Sequence, residues 1–185
     1  GGLGVFGVAL AFGAQDLFKN LISGIFILIE KRFVPGEWIL VEGVVEGTVE
    51  HIGFRSTTVR QFDKAPVYVP NGLFSDRAVV NFSRMSHRRI KWTIGLEYRT
   101  TVPQLRYVCD EIEAHLRGEP ALAQPPDAPL LVKVDAFNES SIDVSLTCFT
   151  RTTRWDEWMA EKEKLSFRIM EIVKTDATDV ACRVR

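Results

Sequence analysis

Along the chain the spacing of apolar residues changes period, and each change marks an element. Residues 1–14, GGLGVFGVALAFGA, carry no charged side chain. On a helix, Gly4, Gly7, Ala11 and Ala14 recur at steps of three and four and form one smooth face, with Val5, Val8 and Phe12 on the neighbouring one. Each glycine in a helix interior costs roughly 1 kcal/mol against alanine, so such a helix suits lipid, where small residues let backbones approach closely. Residues 17–29 follow another rule. Leu17, Leu21, Ile22, Ile25, Phe26, Leu28 and Ile29 make a broad apolar stripe, while Lys19, Asn20, Ser23 and Glu30 fall mostly on the other side. That pattern predicts an amphipathic helix lying along a membrane interface. Asp16 is a suitable N-cap for it, so a bend is expected at Gln15-Asp16, with Gly13 and Gly24 as further candidate hinges. Residues 1–14 alone would span roughly 21 Å, short of the ~20 residues a bilayer core requires.

From residue 36 to 84 the texture is that of short strands, rich in β-branched and aromatic residues: 38–41, 44–52, 57–62, 66–69 and 78–82. Gly43, Gly47, Asp63-Lys64 and Pro70-Asn71-Gly72 are expected as turns or bulges between them. Short strands so closely spaced predict a small closed or nearly closed β-barrel. A basic seam at 84–91, RMSHRRIK, leads into a second pattern: a strand at 90–96, then a helix at 103–117 with Leu105, Val108, Ile112 and Leu116 on one side. Pro103 suits its first turn. A Pro-rich loop at 118–129, strands at 130–136 and 142–149, and a helix at 155–173 burying Trp158, Leu165, Ile169 and Ile172 complete an α+β layer with helices over one sheet.

Composition narrows the function more by exclusion than by suggestion. With 185 residues, 23 basic against 24 acidic side chains and a net charge of −1, there is no electrostatic case for nucleic acid. Cys109, Cys148 and Cys182 are far apart and odd in number, which fits a reduced, cytosol-facing environment. His51, His87 and His115 fall on separate elements without metal-ligand spacing. Asp110, Glu111 and Glu113 read as a solvated helix face, and no nucleophile has a base at hand. No enzyme, metal or cofactor is expected. The opening run lacks the basic start of a signal peptide and is expected to be the last membrane helix of a longer protein.

In this order and spacing, several blocks carry a resemblance. They are Asn20-Leu21 with Gly24, then Lys31, Phe33, Gly36, Glu37 and Trp38, then the run from Phe54 to Arg60, then Val69-Pro70-Asn71-Gly72, then Asn81-Phe82-Ser83-Arg84. Together they resemble the pore helix and following domain of the small-conductance mechanosensitive channel (MscS) family. The resemblance implies a homo-oligomeric ring, ordinarily a heptamer, in the inner membrane, with further transmembrane helices before residue 1. It divides the chain into a kinked pore helix with an interface helix (1–34), an Sm-like β domain (35–86) and an α+β, ferredoxin-like domain walling a cytoplasmic vestibule (87–185). Lipids and permeant ions and solutes are the partners it implies, without nucleic acid or cofactor, and tension gating is the activity. In such a ring Gly4, Gly7, Ala11 and Ala14 would pack against neighbours. Val8 and Phe12, one helical turn apart, would form apolar rings that close the pore by dewetting, unless they face lipid or another helix. Arg84, Arg88 and Arg89 would line portals, or sit in a solvated linker. Trp38 would anchor at the interface or fill the β domain. Residues 175–185 depart from the family's aromatic- and proline-bearing terminal strand. The competing reading is a membrane-tethered β-barrel scaffold or RNA-binding module, for which Tyr68 and Trp92 are too isolated to stack bases.

Overall fold

The computed structural model describes residues 2–176 and 183–184, with side chains placed at positions 4, 7, 8 and 11–174. It divides into two compact units, Gly1–Met85 and Ser86–Arg185. The first unit begins with α1 (Gly2–Glu30), one helix through both sequence patterns. The helix is continuous through Gln15-Asp16, where a bend was expected. Asp16 caps nothing, because Ala11, Ala14 and Gln15 are strong helix formers and nothing before it stops the helix. Its carbonyl also accepts a hydrogen bond from Asn20 Nδ2 at 2.8 Å. The helix ends at Lys31, which adopts a positive φ of 50°.

Five strands follow: β1 (Trp38–Val41), β2 (Val45–Ile52), β3 (Ser56–Arg60), β4 (Pro66–Pro70) and, after the short helix α2 (Asn71–Asp76), β5 (Val79–Asn81). They form one antiparallel sheet in the order β4-β3-β2-β1-β5. Among the described residues β4 and β5 do not pair, so of the closed or nearly closed barrel that was expected the closed form is not made. Gly43 makes the β1–β2 turn with a φ of 71°, and Lys64 with a φ of 73° sits in the β3–β4 turn. Two expected turns are something else. Gly47 lies within β2 opposite Ile39, where an added Cβ would stand 2.2 Å from Arg60 O. Asn71 and Gly72 open α2 with Pro70 before them. Ile27 of α1 joins Phe33, Ile39, Val41, Val45, Val49, Val59, Val69 and Phe74 in the core. Trp38 is half-buried against Phe62 and Phe82, with ring centroids at 5.4 and 4.5 Å.

The second unit runs β6 (Arg88–Leu96), α3 (Val102–Gly118), β7 (Leu131–Phe137), β8 (Ile142–Thr150), α4 (Trp155–Asp176) and β9 (Arg183–Val184). Its strands pair antiparallel in the order β7-β8-β6-β9. A βαββαβ chain with this strand order has the ferredoxin-like topology. Gln104 Oε1 accepts hydrogen bonds from Thr101 N and Oγ1 at 2.9 Å, closing the start of α3. Leu105, Val108, Ile112 and Leu116 of α3 meet Leu165, Ile169, Ile172 and Val173 of α4 and the inner face of the sheet. The strand β9 was not expected. It pairs with Ile94 and Gly95, while residues 177–182 and 185, including Cys182, lie outside the described residues.

Candidate functional site

The site is α1, whose two halves have different surroundings. Gly4, Gly7, Ala11 and Gly13 are exposed, and a Cβ added at Gly4, Gly7 or Gly13 would meet nothing within 4 Å. Val8 and Phe12 are 56% and 72% exposed, while Ala14 is half-buried and Gln15 and Asp16 are exposed. The side chain of Val5 lies outside the described residues. In one copy of the chain, therefore, the described side chains of this stretch find little to pack on.

From Lys19 onward the helix is docked, and through its polar side. Lys19 Nζ pairs with Asp76 Oδ2 at 2.5 Å. Gly72 N–H donates to Asn20 Oδ1 at 2.8 Å, and Ser75 Oγ to Ser23 Oγ at 2.9 Å. Gly24 is the point of closest approach: an added Cβ would lie 2.6 Å from Asn71 Nδ2 and 2.9 Å from Phe54 O. The buried Asn71 is satisfied on several sides. Its Nδ2 donates to Gly53 O and Phe54 O at 2.9 and 3.1 Å, and its Oδ1 accepts from Thr57 Oγ1 at 2.8 Å. Leu17, Phe18, Ile22, Ile25, Phe26, Leu28 and Ile29 are left exposed. The polar side opposite the apolar stripe is thus the side that binds α2 and the β2–β3 turn. The pattern of polar residues carried the signal, but Pro70-Asn71-Gly72 reads as a turn and concealed the docking partner.

Below the helix, Glu37 gathers the chain exit. It accepts from Val34 N at 2.9 Å, Asn81 Nδ2 at 2.8 Å and Arg84 Nε at 2.9 Å. Burial, the largest single influence, raises its pKa, but the bonds from Arg84, Asn81 and Val34 together outweigh it and hold the carboxyl below its usual range. The three arginines of the expected basic seam have different surroundings within their own units. Arg84 serves Glu37 in the first unit. Arg88 lies in β6 rather than a linker, its guanidinium 4.8 Å from the ring centroids of both Trp155 and Trp158 and donating to Thr153 O at 3.3 Å. Burial lowers its pKa. Arg89, also in β6, is exposed with no ion pair among the described residues. Trp92 is 6% exposed and sits in the second core, whereas Tyr68 is exposed.

Elsewhere the chemistry is that of a scaffold. Glu113 pairs with Arg117 at 2.7 Å and Lys133 at 3.5 Å, which lowers its pKa, chiefly through the Arg117 bond. Burial pushes the Cys148 thiol up to about 12, so it is inert at neutral pH. Among the described residues no group of three or more His, Cys, Asp or Glu is placed to hold a metal.

The first unit is thus a long helix, bare over its first half and rooted by polar contacts in a small β sheet, and the second has the ferredoxin-like topology. A stretch of 20 residues in α1, Ala11–Glu30, is long and apolar enough to cross a membrane. Residues 16–84 match the mechanosensitive ion channel β-domain family, and residues 90–176 the mechanosensitive ion channel MscS, C-terminal family. The chain is 37% identical over 182 residues to the low conductance mechanosensitive channel YnaI of Escherichia coli, covering 98% of this chain and 52% of that one. It is 34% identical over 180 residues to the small-conductance mechanosensitive channel MscMJ of Methanocaldococcus jannaschii, covering 97% and 50%. Its fold superposes on the cryo-EM structure of MSL1 from Arabidopsis thaliana with a TM-score of 0.89 at 27% identity, covering 97% of this chain and 63% of that one. The chain belongs to the MscS family of mechanosensitive channels. It spans about half the length of these curated relatives.

Proposed function

We propose that the protein is an ion channel opened by membrane tension, releasing ions and small solutes on hypo-osmotic shock. The observation that carries this is the split character of α1, exposed along its first half and docked to the β unit from Lys19 onward. The docked face bears on where the bilayer lies. Lys19, Asn20, Ser23 and Gly24 meet polar groups of α2 and the β2–β3 turn, so the water boundary falls near Asp16 to Lys19. The apolar window Ala11–Glu30 is then not itself the span, and the membrane lies around the preceding residues. Several copies, seven by analogy with the family, pack Gly4, Gly7, Ala11 and Ala14 against neighbours around an axis. Val8 and Phe12 turn inward as the gate, and the exposed stripe from Leu17 to Ile29 is covered by adjacent copies. The β units, as Sm-like domains of a ring, and the ferredoxin-like units face the cytoplasm, consistent with Lys31 and Arg32 following the helix.

Tension favours whichever state occupies more area in the membrane plane, so helices that slide along small faces and tilt apart open under stretch. Gly13, Gln15 and Asp16, helical and exposed here, are where a bend would form without breaking any docking contact. Gly24 is held too closely for that role. Arg89 is the portal candidate left free to act on permeant ions. Patch recordings of the reconstituted full-length protein test the reading. Stretch-activated currents are expected, and Phe12→Ser should open at lower tension or leak. Absence of tension-dependent current would overturn the function, and an unaltered threshold in Phe12→Ser would remove Phe12 from the gate.

A further inference from the structure

This inference rests on the reading of α1 as a membrane helix. Where α1 passes from its bare stretch into the β unit, it is flanked by α2 and by the turn between β2 and β3. That turn is tight, with Gly53 N–H donating to Ser56 O at 3.0 Å. It is also pinned from behind. Asn71 holds its carbonyls, donating to Gly53 O, Phe54 O and, through its backbone N–H, to Arg55 O at 2.9 Å. Its backbone presses on α1 at Gly24. Fixed this way, the turn presents Phe54 outward at 84% exposure, more than any other large hydrophobic side chain among the described residues. Arg55 beside it is exposed, and so is Arg77, which follows α2 next to the Asp76–Lys19 pair. Among the described residues neither guanidinium meets a carboxylate. Gly24 lies about 8 Å along the helix from Lys19 at 1.5 Å per residue, comparable with the reach of an extended arginine.

An aromatic ring held rigidly in water is unfavourable unless something receives it. An aromatic beside one unpaired guanidinium, with a second at the end of the helix that packs on the same stretch of α1, near the level where a helix enters lipid, matches the chemistry of an anionic headgroup layer, with an apolar body and charged tips. We propose that the Phe54-Arg55 turn, with Arg77, is a foot that rests on the anionic phospholipid surface around α1. Because the same turn backbone touches Gly24, a shift of the headgroup layer acts on α1 from outside as well as through the bilayer.

The test uses the full-length protein in vesicles of phosphatidylcholine alone or mixed with phosphatidylglycerol. Phe54→Trp places an indole at the tip, read as the difference from the parent protein. With phosphatidylglycerol present, its emission is expected to shift to the blue, to be quenched by brominated acyl chains and to be shielded from iodide. Adding Arg55→Gln and Arg77→Gln should restore iodide quenching several-fold. Strong iodide quenching, equal in both lipids, overturns the foot, since the tip is then free in water. Shielding from iodide and bromine alike also overturns it, since protein then covers the tip, either another segment of the chain or a second copy. Stretch-activated currents from the same vesicles separate the two readings. Currents with an unshielded indole overturn the foot alone, and a bromine-quenched indole without currents supports the foot while overturning the channel.

Discussion

Gly24 shows how one missing side chain fixes an interface. A methyl group there would stand 2.6 Å from Asn71 Nδ2 and 2.9 Å from Phe54 O. The second of these is backbone and cannot turn aside. Gly24→Ala should therefore destabilise the first unit by about 1–3 kcal/mol through overpacking. Gly13→Ala is the control: nothing lies within 4 Å of its Cβ, and the helix gains roughly 1 kcal/mol. Urea unfolding of the full-length protein, followed by Trp38 emission with Trp92, Trp155 and Trp158 replaced by phenylalanine, compares them, and equal midpoints would mean that Gly24 is not a tight contact. Glu37 supplies a pH dependence of definite sign. Its pKa is lower in the folded protein than in the unfolded chain, so its stabilisation is present above the ordinary carboxylate range and is lost as pH falls through the depressed value. Glu37→Gln should flatten the acid limb of stability against pH while leaving the neutral region lower throughout. An unchanged acid limb would show that other carboxylates dominate it.

At the level of elements, most of the framework was legible because burial alternates with the period each element requires. The stripe Leu105, Val108, Ile112 and Leu116 buries as its spacing predicts, and β8 alternates buried and half-buried along its whole length. What was not legible depended on contacts distant in sequence. Asp16 looks like a cap only if the preceding helix stops, and nothing local stops it. Gly47 looks like a turn because a strand glycine is explained only by Arg60 O, thirteen residues on, approaching from β3. The seam at Arg84, Arg88 and Arg89 looks like one feature because the sequence does not show that Glu37 takes the first and a tryptophan pair the second. In the second unit Arg88 is a clamp on the start of α4. A guanidinium stacked on tryptophan contributes about 0.5–2 kcal/mol. Arg88→Gln should therefore raise amide hydrogen exchange over the first turns of α4, with Arg88→Lys intermediate. Equal exchange in all three proteins would reduce the stack to a surface contact.

For the whole molecule, the proposed ring turns on the first half of α1, whose described side chains are exposed apart from the half-buried Ala14. Gly7 makes this testable, because its single-chain and assembled surroundings would differ so sharply. Within the chain a Cβ at Gly7 meets nothing within 4 Å, and leucine is the better helix former by close to 1 kcal/mol. Gly7→Leu should therefore leave each unit at least as stable as before. In a ring the same side chain would stand between backbones that small residues bring together, and adding several carbons there forces the helices apart. Native mass spectrometry of the detergent-solubilised full-length protein reads assembly, and circular dichroism reads folding. The expected outcome is a folded protein whose ring is lost or altered in copy number. A Gly7→Leu protein that keeps both its fold and its parent assembly would show that the glycine and alanine face packs against something other than its own copies, and the gate assigned to Val8 and Phe12 would lose its geometric basis.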